Sequence, residues 1–130
     1  MNGPLAWRPL WQVVGALLIA FVSYMSLTPD PPKLAGPPSY KIGHVLAYLT
    51  LSLWYAQLTP RGRPRMAVTA AFIGMGIVYE YLQGMIDTRA FEYSDMYINS
   101  FGALAGYALG HTPLERGLAW FEHLTGIARA

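Results

Sequence analysis

The chain has 130 residues, of which 54% are hydrophobic and 12% charged, and it contains no cysteine. This composition is too apolar for an ordinary soluble domain and favours a membrane protein with a single domain, residues 1–130. The absence of cysteine excludes disulfides and thiolate chemistry. The formal charge is only +2, and the sequence contains no basic tract interleaved with aromatic residues. We therefore expect no nucleic-acid partner.

Four apolar segments predict four transmembrane helices, over about 10–27, 41–58, 66–86 and 94–110. The first segment is longer than the core of a signal peptide and further apolar segments follow it, which favours a retained span. Between the first two segments, residues 28–40 contain five prolines and predict an extended external loop. Residues 59–65 predict a short basic loop.

The fourth segment carries a glycine at every fourth position, Gly102, Gly106 and Gly110. This small-xxx-small spacing lets helix backbones approach closely in lipid and predicts a packing face. The alternative is that these glycines reflect only the higher glycine content of membrane helices.

The tail, residues 113–128, predicts an amphipathic helix on the membrane surface. Thr112 fits an N-cap, and Glu115 fits the glutamate of a capping box. The predicted apolar face comprises Leu114, Leu118, Phe121 and Leu124, with Glu115, Arg116 and Glu122 elsewhere.

Six of the nine basic residues fall on one side of a four-span topology: Arg8, Arg61, Arg63, Arg65, Arg116 and Arg129. Lys33, Lys41 and Arg89 fall on the other side. By the positive-inside rule, both termini are cytoplasmic. The start of the second helix, the end of the third and the start of the fourth then meet near the outer face.

Polar side chains converge at that outer end. On the second helix, Lys41, His44 and Tyr48 share one face by their i, i+3, i+7 spacing. Glu80 and Gln83 lie near the end of the third helix, and Asp95 and Asn99 near the start of the fourth. Ionisable groups at membrane depth are costly and indicate a functional site. Lys41 or Arg89 is the expected counter-ion of Glu80 or Asp95.

The chemistry of this site stays open at the level of sequence. A single histidine without an H-E-x-x-H pattern does not predict a metal site or a cofactor. Acid–base catalysis by Glu80, Asp95 and His44 is compatible with the residue types, but no catalytic residue is assigned. Ser94 is expected to be a helix N-cap rather than a nucleophile.

These motifs resemble those of the VanZ-like family of small bacterial membrane proteins. The resemblance rests on Ser26-Leu27-Thr28-Pro29, Lys41-x-x-His44-x-x-x-Tyr48, Glu80-x-x-Gln83, Arg89, Asp95-x-x-x-Asn99 and Gly102-x-x-x-Gly106. One departure is Tyr40, where family members often carry an aspartate before the lysine. The resemblance implies a four-helix fold with an outer cavity and a role at the cell surface, where the named member of the family is associated with low-level resistance to the glycopeptide teicoplanin.

The leading hypothesis is a membrane protein whose outer cavity binds an anionic lipid or a lipid-linked envelope precursor. Lys41 and Arg89 would contact phosphate, and the other members would orient the headgroup or relay a proton: His44, Glu80, Gln83, Asp95 and Asn99. The alternative is a small accessory subunit of a larger membrane complex. A proton-coupled transporter is less expected because the chain lacks internal repeats.

Overall fold

The computed structural model describes residues 4–31 and 39–127, with the side chains of residues 39 and 40 excepted. All regular secondary structure in these residues is helical, as the sequence predicts. The helices are α1 (Arg8–Leu27), α2 (Ser39–Leu58), α3 (Arg63–Gly84), α4 (Tyr93–Leu109) and α5 (Gly117–Thr125), with a 3-10 helix (Pro113–Arg116) before α5. Most of the proline-rich loop, Lys33, Arg129 and the Tyr40 side chain lie outside the described residues.

The four helices α1 to α4 begin one to three residues earlier than predicted, and in α1 and α3 a proline lies within the first turn. Pro9 in α1 and Pro64 in α3 occupy this position, where the missing amide hydrogen has no intrahelical partner to lose. The basic segment 59–65 is therefore partly helical rather than a loop throughout. The expectation that Ser94 caps α4 is wrong, since Glu92 precedes the helix and Ser94 lies in its first turn.

The helices α1 to α4 form a bundle in which α2 and α4 make the most extensive contact. α1 packs on α2 and α3, and α4 also packs on both. The central apolar cluster consists of Val22, Tyr48, Leu51, Phe72 and Ala103. A second cluster, of Trp11, Leu58 and Leu118, joins α1 and α2 to α5.

Close backbone contact joins α4 to α2. A Cβ atom on Gly102 would lie 2.5 Å from the Val45 carbonyl oxygen, and one on Gly106 would lie 2.5 Å from that of Leu49. These distances leave no room for a side chain, so both positions need glycine. At Gly110 the added atom would lie 2.6 Å from the Ala56 Cβ.

The bundle has two ends of different chemistry. At one end, which we call the arginine end, the Arg65 guanidinium is buried and donates to the carbonyl oxygens of Ala56 (2.6 Å) and Gly110 (2.8 Å). It thereby satisfies the last carbonyls of α2 and α4, which lack intrahelical partners. Arg65 also contacts Glu115 at 3.3 Å, and Arg61 pairs with the same carboxylate.

The tail differs from the predicted single amphipathic helix. Thr112 does cap it, accepting a hydrogen bond from the Leu114 amide, but residues 113–116 form a 3-10 turn and Glu115 binds arginines instead of closing a capping box. The helix ends at Gly126, whose φ of 76° is left-handed. The predicted apolar face is split, because Leu118 is buried while Leu114, Phe121 and Leu124 are exposed.

Glu122 fixes the tail to the start of α1. Its carboxylate is 3% exposed and accepts hydrogen bonds from the Ala6 and Trp7 amides, both at 2.8 Å, and from Trp11 Nε1 at 2.7 Å. Burial opposes its ionisation, but these hydrogen bonds hold the pKa of Glu122 below its usual value. An acidic group is favoured at this position because free amides at a helix N-terminus attract negative charge.

Two helices, α1 and α3, are long and apolar enough to cross a membrane. Within the described residues, α2 and α4 do not meet the same test of length and composition. Two such helices are weak support for membrane insertion, since a core helix or a signal sequence has the same properties. The four-span arrangement stays a prediction at this point.

The glycine contact between α2 and α4 predicts a position-specific effect of added volume. Gly106→Ala should destabilise the protein by about 1–3 kcal/mol, because the new methyl group forces the two backbones apart. Gly74→Ala is the matched control, since no atom lies within 4 Å of a Cβ there. Thermal unfolding in detergent measures both variants, and equal melting temperatures would contradict the packing role of Gly106.

The buried carboxylate of Glu122 predicts an acid-labile tail. A lowered pKa contributes stability that is present above the unfolded value of about 4.5 and is lost as the pH falls through the folded value. The wild-type melting temperature should therefore fall below about pH 4.5. Glu122→Gln should lower it by a few degrees at pH 7 and flatten its acid dependence, whereas Glu92→Gln should match the wild type at pH 7. An unchanged acid profile in Glu122→Gln would refute this role.

Candidate functional site

A cluster of polar side chains lies at the end of the bundle opposite Arg65. It is formed by the first half of α2, the last turns of α3 and the first turns of α4. We call it the polar cluster, and it comprises His44, Tyr48, Glu80, Gln83, Asp95 and Asn99. The antiparallel order of the helices brings these residues together although they are far apart in sequence.

The polar cluster is buried. Glu80 is 1% exposed and Asp95 is fully buried, while Gln83 and Asn99 are almost as inaccessible. His44 is half-buried on α2. Burying a carboxyl group is costly unless its charge is compensated by hydrogen bonds or by an opposite charge. The contacts that compensate the buried carboxyl groups therefore determine what the site can bind.

Hydrogen bonds between described residues join the helices within the polar cluster. His44 Nδ1 donates to Asn99 Oδ1 at 2.9 Å, linking α2 to α4. The Glu92 amide donates to Glu80 Oε1 at 2.8 Å, linking α3 to the residue that precedes α4. The Glu80 carboxylate therefore caps the start of α4, where the helix dipole favours negative charge. It also interacts electrostatically with Asp95 and His44.

Gln83 and Arg89 secure the end of α1 rather than the carboxylates. Gln83 Nε2 donates to the Ser26 carbonyl oxygen at 2.7 Å, and Arg89 Nη1 donates to that of Thr28 at 2.8 Å. Arg89 also contacts the Met25 carbonyl oxygen at 3.4 Å. Thr88 donates to the Pro29 carbonyl oxygen nearby. The expectation that Arg89 is the counter-ion of Glu80 is therefore wrong, because its guanidinium binds carbonyl oxygens.

Lys41 lies at the exposed edge of the polar cluster. Its side chain is exposed one turn before His44, and it makes no hydrogen bond or ion pair with any described residue. It is therefore not the counter-ion of Glu80. A lysine in this position leaves a positive charge accessible beside a buried polar interior.

Two features of the site were not evident from the sequence. Gly76 makes room for the polar cluster, since a Cβ atom there would lie 3.0 Å from the Asn99 Cβ and 3.3 Å from Tyr48 Cε1. Tyr79 Oη lies 2.6 Å from Ser23 Oγ and ties α3 to α1. The sequence signal for Gly76 is an isolated glycine in an apolar helix, which alone does not identify a neighbour.

Metal binding has no support in the described part of the chain, where no group of three or more histidine and acidic side chains is placed to hold an ion. A surface groove of about 490 Å³ lies at the arginine end, lined by Ala6, Trp7, Pro9, Leu10 and Val13. It is distant from the polar cluster and does not belong to this site. What the polar cluster offers is a set of buried hydrogen-bonding groups beneath an exposed cation.

Comparison with models of protein families, with curated proteins and with solved structures finds no match to this chain. The resemblance to the VanZ-like family stays a prediction from the motifs alone.

Proposed function

We propose that the chain is an integral protein of the bacterial inner membrane whose helices α1 to α4 all span the bilayer. In this proposal the polar cluster lies at the extracytoplasmic side and binds the phosphate of an anionic lipid or of a lipid-linked cell-envelope precursor. Both termini are cytoplasmic, and α5 lies in the interface.

The distribution of polarity carries this proposal. Large apolar side chains point outwards on the helices, with Leu17 63% exposed on α1 and Phe101 64% exposed on α4. The carboxylates of Glu80 and Asp95 are buried between the same helices. A protein in water has the opposite arrangement, whereas lipid favours apolar surfaces and inward-facing ionisable groups. The same pattern holds for α4, although this helix has only 17 residues.

The positions of the basic residues support the orientation. Arg8 donates to the Leu58 carbonyl oxygen at the arginine end, where Arg61 and Arg65 also lie. Lys41 and Arg89 lie at the end of the polar cluster. An excess of arginine at one end places that end in the cytoplasm.

Lys41 and His44 are the groups that fit a phosphate. They follow one another by one turn on α2, and Lys41 is exposed while His44 is half-buried. A phosphate held there would touch Lys41 at the surface and His44 below it. Arg89 adds positive charge to the same end, and Gln83, Asp95 and Asn99 offer hydrogen bonds to the rest of a headgroup. The motif resemblance to the VanZ-like family also points to the cell envelope and to glycopeptide resistance.

The exposed side of α4 favours a second candidate function, an accessory subunit of a larger membrane complex. Tyr93, Tyr97, Phe101 and Leu104 form an apolar stripe that would suit a neighbouring helix as well as lipid. Purification with a larger partner in fixed stoichiometry would support this function.

A catalytic version of the first proposal requires turnover of an envelope precursor that is lost in Glu80→Gln.

The orientation predicts opposite accessibility of the two ends. The chain has no cysteine, so single variants carry a unique label. Lys41→Cys should react with an impermeant maleimide on intact spheroplasts, and Arg63→Cys should react only after permeabilisation. Both positions are exposed helix starts, and the wild type is the unlabelled control. Labelling of both variants from the same side would contradict the four-span topology.

Phosphate binding at Lys41 predicts a local charge effect. Lys41→Ala should weaken the binding of phosphatidylglycerol by about fivefold, the contribution expected of one lysine near a phosphate. Arg63→Ala removes the same charge from the opposite end and should leave the affinity unchanged. Native mass spectrometry of the detergent-solubilised protein measures both, with a polyprenyl phosphate as competitor to separate a lipid from a precursor. Equal affinities in the two variants would refute the site.

A further inference from the structure

We propose that the ligand of the polar cluster carries a primary ammonium group close to its phosphate, and that this ammonium binds between the Glu80 carboxylate and the Tyr48 hydroxyl. The inference rests on the phosphate site of the proposed function and assigns it a zwitterionic headgroup in place of a purely anionic one. The substrate class is then a phosphoethanolamine-type headgroup, with the phosphate at the rim and the amine below it.

The order of charges along the bundle axis, from the exposed end inwards, suggests this ligand. The exposed cation Lys41 lies at the surface, and the buried carboxylates of Glu80 and Asp95 lie deeper between the helices. A purely anionic headgroup would meet a favourable charge at the rim and repulsion below. A headgroup with a phosphate outside and an ammonium inside meets an opposite charge at both depths.

Glu80 interacts with His44, but it has no lysine or arginine partner in the described part of the chain. Within the described part of the chain, no lysine or arginine nitrogen lies within 4.0 Å of its carboxylate. Arg89, the nearest expected partner in sequence, donates to the carbonyl oxygens of Met25 and Thr28. Buried charges in proteins are normally paired, so this carboxylate is suited to a cation supplied by a ligand.

The Tyr48 hydroxyl gives an independent indication. Tyr48 is 2% exposed, and its Oη atom has no hydrogen-bond partner among the described residues. Tyr48 Cε1 lies 3.3 Å from the position of a Cβ atom on Gly76, and Glu80 follows Gly76 by one turn on the same face of α3. Buried hydroxyls are hydrogen-bonded in the great majority of native structures. An ammonium group has three donors and can serve the hydroxyl oxygen and the carboxylate together.

The chemistry of the cluster separates a primary amine from other cations. The described residues provide no set of three ligands for a metal ion. A quaternary ammonium has no N–H donors and is recognised by an aromatic cage rather than by a carboxylate and a hydroxyl. His44 and Tyr48 are about one helical turn apart, roughly 6 Å along α2, which a two-carbon linker between phosphate and amine can span.

The experiment compares three phospholipids with identical acyl chains on the full-length protein by native mass spectrometry. Phosphatidylethanolamine has a primary ammonium, phosphatidylcholine has a quaternary one, and phosphatidylglycerol has none. Phosphatidylethanolamine should bind about tenfold more tightly than either of the others, the factor expected for a hydrogen bond to a charged group. Soluble phosphoethanolamine serves as a competitor, and its success would support the same chemistry with a free headgroup as the source.

Two variants test the assigned residues. Glu80→Gln and Tyr48→Phe should each reduce the preference for phosphatidylethanolamine over phosphatidylglycerol by about fivefold or more. Tyr48→Phe removes a hydroxyl that bonds no described residue, so the fold should tolerate it, and thermal unfolding checks this. Lys41→Ala should weaken all three lipids alike and leave the preference unchanged.

The outcomes separate this inference from the proposed function. Equal binding of the three lipids, still weakened by Lys41→Ala, would overturn the ammonium site and leave the phosphate site in place. A preference for phosphatidylethanolamine that survives both Glu80→Gln and Tyr48→Phe would also overturn it. Failure of every phospholipid and of the polyprenyl phosphate to bind would overturn both.

Discussion

The close approach of α2 and α4 is the constraint on which the rest of the structure depends. Carbonyl oxygens of α2 occupy the space where side chains at Gly102 and Gly106 would otherwise lie. Because the two backbones are this near, Asn99 at the start of α4 can reach His44 on α2. The same contact brings the last carbonyls of both helices within reach of one guanidinium, that of Arg65. The two polar ends are thus consequences of one tight helix pair.

The polar groups at the two ends of the bundle differ in how far the surrounding protein satisfies their hydrogen-bonding capacity. Arg65 is enclosed by carbonyl oxygens and by Glu115, so its hydrogen-bonding capacity is used inside the chain. Within the described residues, Glu80 has the Glu92 amide but no lysine or arginine partner, and the Tyr48 hydroxyl makes no hydrogen bond. A fully satisfied set of groups stabilises a fold, whereas groups with spare capacity can also bind a ligand. This difference is why the site is placed at the end with the carboxylates.

Much of the helical architecture and the members of the polar cluster could be predicted from the sequence. The apolar segments gave the helices to within a few residues, and i, i+3 and i, i+4 spacings put the polar residues on common faces. The predictions that failed concern residues whose partners are distant in sequence. The sequence places Glu122 only away from the apolar face of the tail, and nothing near it indicates that its carboxylate caps α1. Likewise, Arg89 looked like a counter-ion, because local sequence does not show that carbonyls at the end of α1 lie within its reach.

The bond between Glu122 and the start of α1 also bears on how the chain is made. The acceptor of the Ala6 and Trp7 amides is synthesised more than a hundred residues after them. During translation these amides must be solvated by water or by lipid headgroups until α5 has been made. The start of α1 therefore acquires its carboxylate cap only after the other helices of the bundle have been synthesised.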